Sequence, residues 1–199
     1  MPRWVFEGWI AGAGTAGGTR LVLGHWPVSP FGPFADVMVA HPDGTRTLLA
    51  PTPALADFVA GTYRFDRVEV VPVEVAQGPT WVVRAGLLDW RFTPGRRAPL
   101  GALLRLVPPR VGTSLAWARL TDPVARVAMR GVRTLGTAGQ GRTEWYAARD
   151  LHRLTASEAT WEGVDLGPLA PVDPPPRFGF SSTPRRPSLV RVVSTVAGD

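Results

Sequence analysis

Apolar and polar residues alternate along most of this chain, in short runs that glycine and proline separate. A period of two is typical of strands that bury one face. The pattern predicts strands over residues 4–11, 20–26, 35–40, 45–49, 64–75, 81–85, 88–92, 142–154, 159–162, 177–181 and 189–196. The glycine-rich stretch 12–18 predicts a flexible turn, and Asp43-Gly44 predicts a hairpin turn, because both residues tolerate a positive φ.

Helical spacing replaces this alternation in two places. A short helix near residues 53–60 is predicted to begin at Pro53, with Thr52 as its cap, and to end at Gly61. Its buried stripe would consist of Leu55, Phe58 and Val59. The second place is a helical insertion near residues 98–130. Its first helix is predicted to begin at Pro99 and to stop at Pro108-Pro109, and in the second Asp122-Pro123 could restart the helix before Gly131.

These elements predict a mainly β protein, in the β-rich α+β class. We expect a single antiparallel barrel or half-barrel of about ten strands, with the short helix and the helical insertion attached to it. The 199 residues fit one domain, residues 1–199, in which residues 96–133 form a basic helical insertion.

Charge is concentrated in that insertion. All 22 basic residues of the chain are arginines, and the net charge is +6. Between residues 96 and 133 there are eight arginines and one acid, Asp122, so the rest of the chain is nearly neutral. The lack of lysine and asparagine is typical of a GC-rich genome, such as that of an actinobacterium.

The basic insertion allows three interpretations. It could be a lid that packs its leucines on the barrel with its arginines outward. It could contact an anionic membrane surface through Arg96, Arg97, Arg105 and Arg110. In the third interpretation, the arginines bind an anionic ligand or nucleic acid. Nucleic acid is the least favoured partner, because the aromatic residues are spread through the strands and no known nucleic-acid-binding motif is present.

The residue inventory excludes several kinds of chemistry. Without cysteine the chain has no disulfide and no thiol nucleophile. The three histidines have no metal-ligand spacing, so we expect no metal, and no motif implies a cofactor. No apolar run reaches the roughly 20 residues that cross a bilayer, and the first residues lack the apolar core of a signal peptide, so we expect a cytoplasmic protein.

One corner of the chain resembles a known family. Residues 29–34 read Ser-Pro-Phe-Gly-Pro-Phe, and Asp36 and an apolar strand follow them. Together with Gly17-Gly18 before the corner and the sequence Tyr-Arg-Phe-Asp-Arg-Val at residues 63–68, this resembles the acetoacetate decarboxylase-like superfamily over about residues 17–70. The resemblance implies a β-rich scaffold with a small-molecule pocket.

The chemistry of that family depends on a lysine that forms a Schiff base with the substrate. A second stretch, Gly141-Arg142-Thr143-Glu144-Trp145, is similar to the one that leads to this lysine, and the similarity puts Arg149 in the lysine's place. It lies later in the chain than in the family, and Ala148 replaces the expected proline. A guanidinium cannot form an imine, although it can bind a carboxylate or an enolate; alternatively, Arg149 points outward from a strand edge.

The candidate site residues follow from these observations. If the protein is an enzyme, His25, Asp36 and Glu144 are the candidates for acid–base catalysis. The candidate ligand-binding residues are Trp26, Phe34, Arg64, Trp145 and Arg149. Trp9, Trp81 and Trp90 are further candidates for the pocket lining, and each could equally be ordinary core.

The sequence therefore predicts a small-molecule-binding protein with an acetoacetate decarboxylase-like scaffold that lacks the Schiff-base lysine. Its ligand would be apolar or would carry a carboxylate, and the pocket would lie in the barrel interior. The alternative is a non-catalytic, lipocalin-like carrier, or a peripheral membrane protein that uses residues 96–133.

Overall fold

The computed structural model describes residues 2–129 and 131–198. About 48% of the chain is strand and 19% is helix, which confirms the predicted fold class. The strands are β1 (Arg3–Thr15), β2 (Arg20–Val28), β3 (Phe34–Ala40), β4 (Arg46–Ala50), β5 (Arg67–Val70), β6 (Val73–Ala76), β7 (Trp81–Ala85), β8 (Leu88–Arg97), β9 (Leu135–Thr137), β10 (Thr143–Trp161), β11 (Val164–Asp165), β12 (Leu169–Ala170) and β13 (Ser188–Ala197). The helices are α1 (Pro53–Thr62), α2 (Pro99–Arg105), α3 (Pro109–Gly112) and α4 (Leu115–Ala128).

Ten of these strands form one curled sheet, a half-barrel, in the order β5-β4-β3-β2-β1-β13-β10-β8-β7-β6. Neighbouring strands are antiparallel except for β4 and β5, which are parallel. The two edge strands, β5 and β6, are consecutive in the chain, and only Val71 and Pro72 separate them. The sheet therefore curls far enough for a two-residue connection to span the distance between its two edges.

The inside of this curl is a packed apolar core. It contains large side chains that are almost wholly buried, among them Leu21, Leu23, Trp90 and Phe92. On the neighbouring strands β1 and β3, the small residues Ala11, Ala13 and Ala35 face the same core. The combination of large and small side chains lets the curved sheet fill its own interior.

Only the last part of the glycine-rich stretch predicted to be a turn, residues 16–18, forms one, and residues 12–15 continue β1 instead. Gly12 and Gly14 pair with β2 on one side, and with β13 and β12 on the other. A Cβ at Gly12 would overlap the Thr183 side chain, and one at Gly14 would overlap the carbonyl oxygen of Pro171. These glycines let other chain segments lie close against β1, which is one of the roles of glycine inside a strand.

Other strand predictions also required correction. The single strand predicted over residues 64–75 is two short strands, because Pro72 interrupts the pairing and the chain passes from one sheet edge to the other. The two strands predicted over residues 142–154 and 159–162 are one strand of 19 residues, β10. Residues 177–181, predicted to be a strand, have no regular secondary structure.

The helices lie close to their predicted positions. The side chain of Thr52 accepts a hydrogen bond from the Leu55 amide and caps α1, which runs to Thr62, one residue past the predicted end at Gly61. In the insertion α2 begins at Pro99 as predicted, and Ser114 caps α4. Helix α4 continues through Pro123 without a restart. No helix in the described part of the chain is long and apolar enough to cross a membrane.

Candidate functional site

A large apolar cavity lies on the face of the sheet opposite the packed core. Its volume is about 550 Å³, within the range of about 300–1,000 Å³ that small-molecule pockets occupy. The floor comes from β1, β2, β3, β10 and β13, while α1, α2, α4 and the chain near residues 176–184 cover it. Most of the lining is aliphatic or aromatic, so an apolar molecule would gain free energy by moving from water into the cavity.

Strand alternation decides which side chains reach this cavity. Gly24 pairs with Asp36 and Trp26 pairs with Phe34 across β2 and β3, so all four lie on one face of the sheet. Trp26, Phe34 and Asp36 line the cavity. A Cβ at Gly24 would lie 2.5 Å from Nε1 of Trp26 and 2.6 Å from Oδ1 of Asp36. Glycine is therefore required there for those two side chains to meet.

Asp36 is an aspartate in an almost water-free position. Its side chain is 2% exposed, and its Oδ1 accepts a hydrogen bond of 3.1 Å from Nε1 of Trp26. Burial raises the pKa of Asp36 to about 7, and the indole hydrogen bond offsets only part of that effect. The carboxyl group can therefore gain or lose a proton near neutral pH.

Glu144 is the second buried acid of the cavity. Its Oε1 accepts hydrogen bonds from the Tyr63 hydroxyl at 2.6 Å and from the Ser194 hydroxyl at 3.0 Å. Burial raises the pKa of Glu144, although these hydrogen bonds act in the opposite direction. The Tyr63 and Tyr146 hydroxyl oxygens are 2.8 Å apart. Because Tyr63 has one proton and donates it to Glu144, Tyr146 donates to Tyr63.

The other oxygen of Glu144 has no such support. Oε2 is buried and has no hydrogen-bond partner within the described residues. A buried polar atom without a partner costs about 1–3 kcal/mol, so natural proteins rarely retain one without a reason. Since Glu144 lines the cavity, a ligand there could provide the missing partner.

The two acids belong to one electrostatic environment. The charge of Asp36 contributes to raising the pKa of Tyr146, which is in the Glu144 network. Burial and the neighbouring Glu144 raise the pKa of both tyrosines, so both phenols stay protonated at neutral pH. One wall of the apolar cavity thus carries two carboxyl groups whose pKa values are raised by burial.

The structure separates His25 from these acids. His25 is on the opposite face of β2, where its ring contacts Trp81 and its Nε2 lies 2.6 Å from Nε2 of Gln77. Burial lowers the pKa of His25. Trp9, Trp81 and Trp90 also belong to the packed core on that face. The cavity therefore lies outside the barrel interior, where the sequence predicted a pocket.

The predicted ligand-binding residues after residue 60 also lie away from Glu144. Arg64 is exposed. Trp145 alternates with Glu144 and Tyr146 on β10, and its indole donates to the carbonyl oxygen of Thr113. Arg149 lies at the register shift between Ala148 and Asp150, and its Nη1 is 2.8 Å from where a Cβ at Gly112 would be. None of the three is among the cavity-lining residues.

Arg133 is the one cationic side chain among the described residues that line the cavity. Its Nε and Nη2 bind the carboxylate of Asp122 at 2.8–3.0 Å, and this carboxylate also accepts hydrogen bonds from the backbone amides of Thr134 and Leu135. The pair joins α4 to the segment before β9. Its main effect is to hold the cover of the cavity in place.

Sequence reasoning identified both acids but not the groups that hold them. Tyr63, Tyr146 and Ser194 come from three distant segments, and only the fold brings them together. One signal was present: Tyr146 lies two residues after Glu144 in a predicted strand, so the two side chains share a face.

The chemical capacity of the site rests on its own residues. Among residues 2–129 and 131–198, no group of three acidic or histidine side chains could hold a metal ion. The arrangement can bind an apolar molecule and exchange a hydrogen bond or a proton with it. No family model, curated protein or solved structure matches this chain.

Proposed function

We propose that this protein binds a small apolar molecule with a neutral, hydroxyl-like polar end in the cavity between the sheet and the helices. The observation that carries the proposal is the unpartnered, buried Oε2 of Glu144 in the wall of a large apolar cavity. The apolar part of the ligand would fill the space under α2 and α4, while its polar end would provide the hydrogen bond that Glu144 lacks.

The charges around the cavity support a neutral polar end over a carboxylate. A carboxylate would approach two acids, Asp36 and Glu144, and would force both to remain protonated. The one described cation of the lining, Arg133, is already bound to Asp122. A hydroxyl group both donates and accepts, so it can bind Glu144 in either protonation state.

The acetoacetate decarboxylase-like resemblance forms part of this proposal. Trp26 precedes the corner, Phe34 is its last residue, and Asp36 follows it. All three line the cavity, and a pocket is what the resemblance implies at this place. No lysine is present to form a Schiff base. We therefore propose the scaffold and its pocket without the imine chemistry of the family.

Two ligands of equal chain length test the proposal, 1-decanol and decanoate. At pH 7.5, we expect 1-decanol to raise the unfolding temperature and to change tryptophan fluorescence, since Trp26 and Trp117 line the cavity. Decanoate should bind at least about tenfold more weakly than 1-decanol, which corresponds to a difference of about 1.4 kcal/mol in binding free energy. Failure of both molecules to bind would contradict the proposal, and tighter binding of decanoate would contradict the neutral polar end.

The Glu144→Gln variant locates the polar end. Glutamine keeps an oxygen for Tyr63 and Ser194 but puts an amide donor in place of Oε2. We expect decanoate to bind at least about fivefold more tightly to this variant than to the wild type, because a like charge is removed and a donor is added. The matched control, Glu158→Gln, changes an exposed carboxylate and should leave both affinities unchanged.

A second candidate function is acid–base catalysis on a bound carbonyl compound. Asp36 favours it, because an acid with a pKa of about 7 can both remove and return a proton at neutral pH. In D₂O we expect wild-type protein to speed exchange of the protons next to the carbonyl of 2-decanone, measured by NMR. Asp36→Asn should lose this rate and still bind the ketone. Binding without exchange in the wild type would instead favour a non-catalytic carrier.

A further inference from the structure

The outward side of the helical insertion is unusually apolar for a protein surface. We call residues 99–128, which comprise α2, α3 and α4, the cover segment. Its exposed aliphatic side chains include Leu106, 78% exposed, and Val127, 90% exposed. The others are Leu100, Leu103, Val111, Leu120 and Val124. So many exposed aliphatic side chains on one short segment indicate an interaction site.

The spacing on α4 arranges these residues as a stripe. Leu120, Val124 and Val127 are four and three residues apart, so they share one side of the helix. Arg119 and Arg126 are seven residues apart and run along the edge of the same stripe. An apolar stripe beside a row of cations is the pattern of helices that lie in a membrane interface.

The positive charge of the cover segment is not neutralised locally. Arg105, Arg110, Arg119 and Arg126 are exposed, and among the described residues none of them forms an ion pair. The one acid of the segment, Asp122, is buried and bound to Arg133. The surface therefore presents cations and aliphatic side chains without any exposed carboxylate.

This combination favours one partner. A second copy of the chain would bring the same arginines face to face, because a two-fold interface pairs a patch with itself. Single-stranded nucleic acid binds to exposed aromatic platforms, whereas the exposed apolar residues here are aliphatic. An anionic lipid bilayer satisfies both features: its phosphates bind arginine, and its acyl region accepts aliphatic side chains.

We propose that the cover segment docks on an anionic lipid bilayer and that the cavity opens toward that bilayer. Leu103 and Val124 carry the second part, because each lines the cavity and is also more than 60% exposed. They form the mouth of the cavity, on the same side as the docking surface. An apolar ligand can pass between the bilayer and the cavity there without entering water. The docking itself does not depend on what the cavity binds.

The charge part is tested by co-sedimentation with phosphatidylcholine vesicles containing 30% phosphatidylglycerol. The variant replaces Arg105, Arg110, Arg119 and Arg126 by glutamine. Each surface cation is worth about fivefold in partition, so we expect a loss of at least about 100-fold. The control variant replaces Arg67, Arg91, Arg153 and Arg186 by glutamine; these arginines are exposed outside the cover segment, and the variant has the same net charge. It should retain binding to within about fivefold.

The apolar part has its own variant, Leu106→Ser with Leu120→Ser and Val127→Ser. These side chains are exposed, so the fold should be retained. In 0.5 M NaCl, where charge is screened, we expect wild type to keep residual binding to the vesicles. The variant should bind them at least about tenfold more weakly than wild type at this salt concentration.

Three results would overturn the proposal. Wild type fails to sediment with the anionic vesicles, or the two four-arginine variants bind equally. The third such result is that wild type binds a 20-base-pair DNA duplex more tightly than it binds the vesicles at the same salt concentration. Binding of 1-decanol in free solution should be the same in all these variants, so failure of docking and failure of the proposed function can be distinguished.

Discussion

The burial of Asp36 makes part of the stability of this protein depend on pH. An unfolded aspartate titrates near pH 4, whereas burial raises the pKa of Asp36 to about 7. Between these values the unfolded chain has lost a proton that the folded chain retains. The free energy of unfolding therefore falls as the pH rises through this window, by up to about 4 kcal/mol from this group, and no further above pH 7.

The Asp36→Asn variant tests this dependence. Asparagine keeps an oxygen for the Trp26 indole but cannot ionise, so the variant should be more stable than wild type at pH 8 by a few kcal/mol and nearly equal at pH 4.5. Urea unfolding at pH 4.5, 6 and 8 measures the difference. Surface carboxylates with lowered pKa values, such as Asp66, are common to both proteins and cancel. A difference that is constant over this pH range would contradict the assignment.

At the scale of elements, β1 shows why a strand can look like a turn. Its glycines are needed because other segments lie against it. Gly14 pairs with β2 and β12, and the carbonyl oxygen of Pro171 occupies the position of its missing side chain. Gly14→Ala should lower the free energy of unfolding by at least about 2 kcal/mol, since the obstacle is backbone that cannot rotate away.

Gly78→Ala is the matched control, because Gly78 is exposed and a Cβ there would lie 3.4 Å from its nearest neighbour, the carbonyl oxygen of Thr80. Denaturant unfolding of the two variants makes the comparison, and similar small effects in both would mean that β1 tolerates a side chain at Gly14. The outcome separates a glycine that serves as a flexible joint from one that serves as a close contact.

Local pattern predicted the elements well where they depend on neighbours in the chain. The Asp43-Gly44 hairpin, the Thr52 cap and the start of α2 at Pro99 are all present. The passage of the chain from one sheet edge to the other at Pro72 could not be predicted. The alternation of apolar and polar residues is the same on both sides of Pro72, and only the curl of the sheet puts β5 and β6 at opposite edges. The Glu144 network was hidden for the same reason, since Tyr63 and Ser194 reach it from distant segments.

At the scale of the whole molecule, the structure separates stability from binding. The inner face of the sheet is packed with Trp90, Phe92 and the leucines of β2, whereas the outer face holds the cavity. A ligand would therefore contact one face of the sheet together with α1, α2 and α4. Short helices over a cavity have fewer buried contacts than the barrel strands, so they are expected to open more readily.

Hydrogen exchange should show this division when a ligand binds. With 1-decanol at saturation, we expect amide exchange to slow in α2 and α4, because the ligand fills the space under them, while β7 and β8 should change little. Ala148→Phe provides the control, since residue 148 lines the cavity and a larger side chain there occupies part of it. This variant should slow exchange in the same helices without ligand and should respond less to 1-decanol. Protection spread evenly over the barrel strands, or concentrated in β7 and β8, would put the ligand in the barrel interior instead.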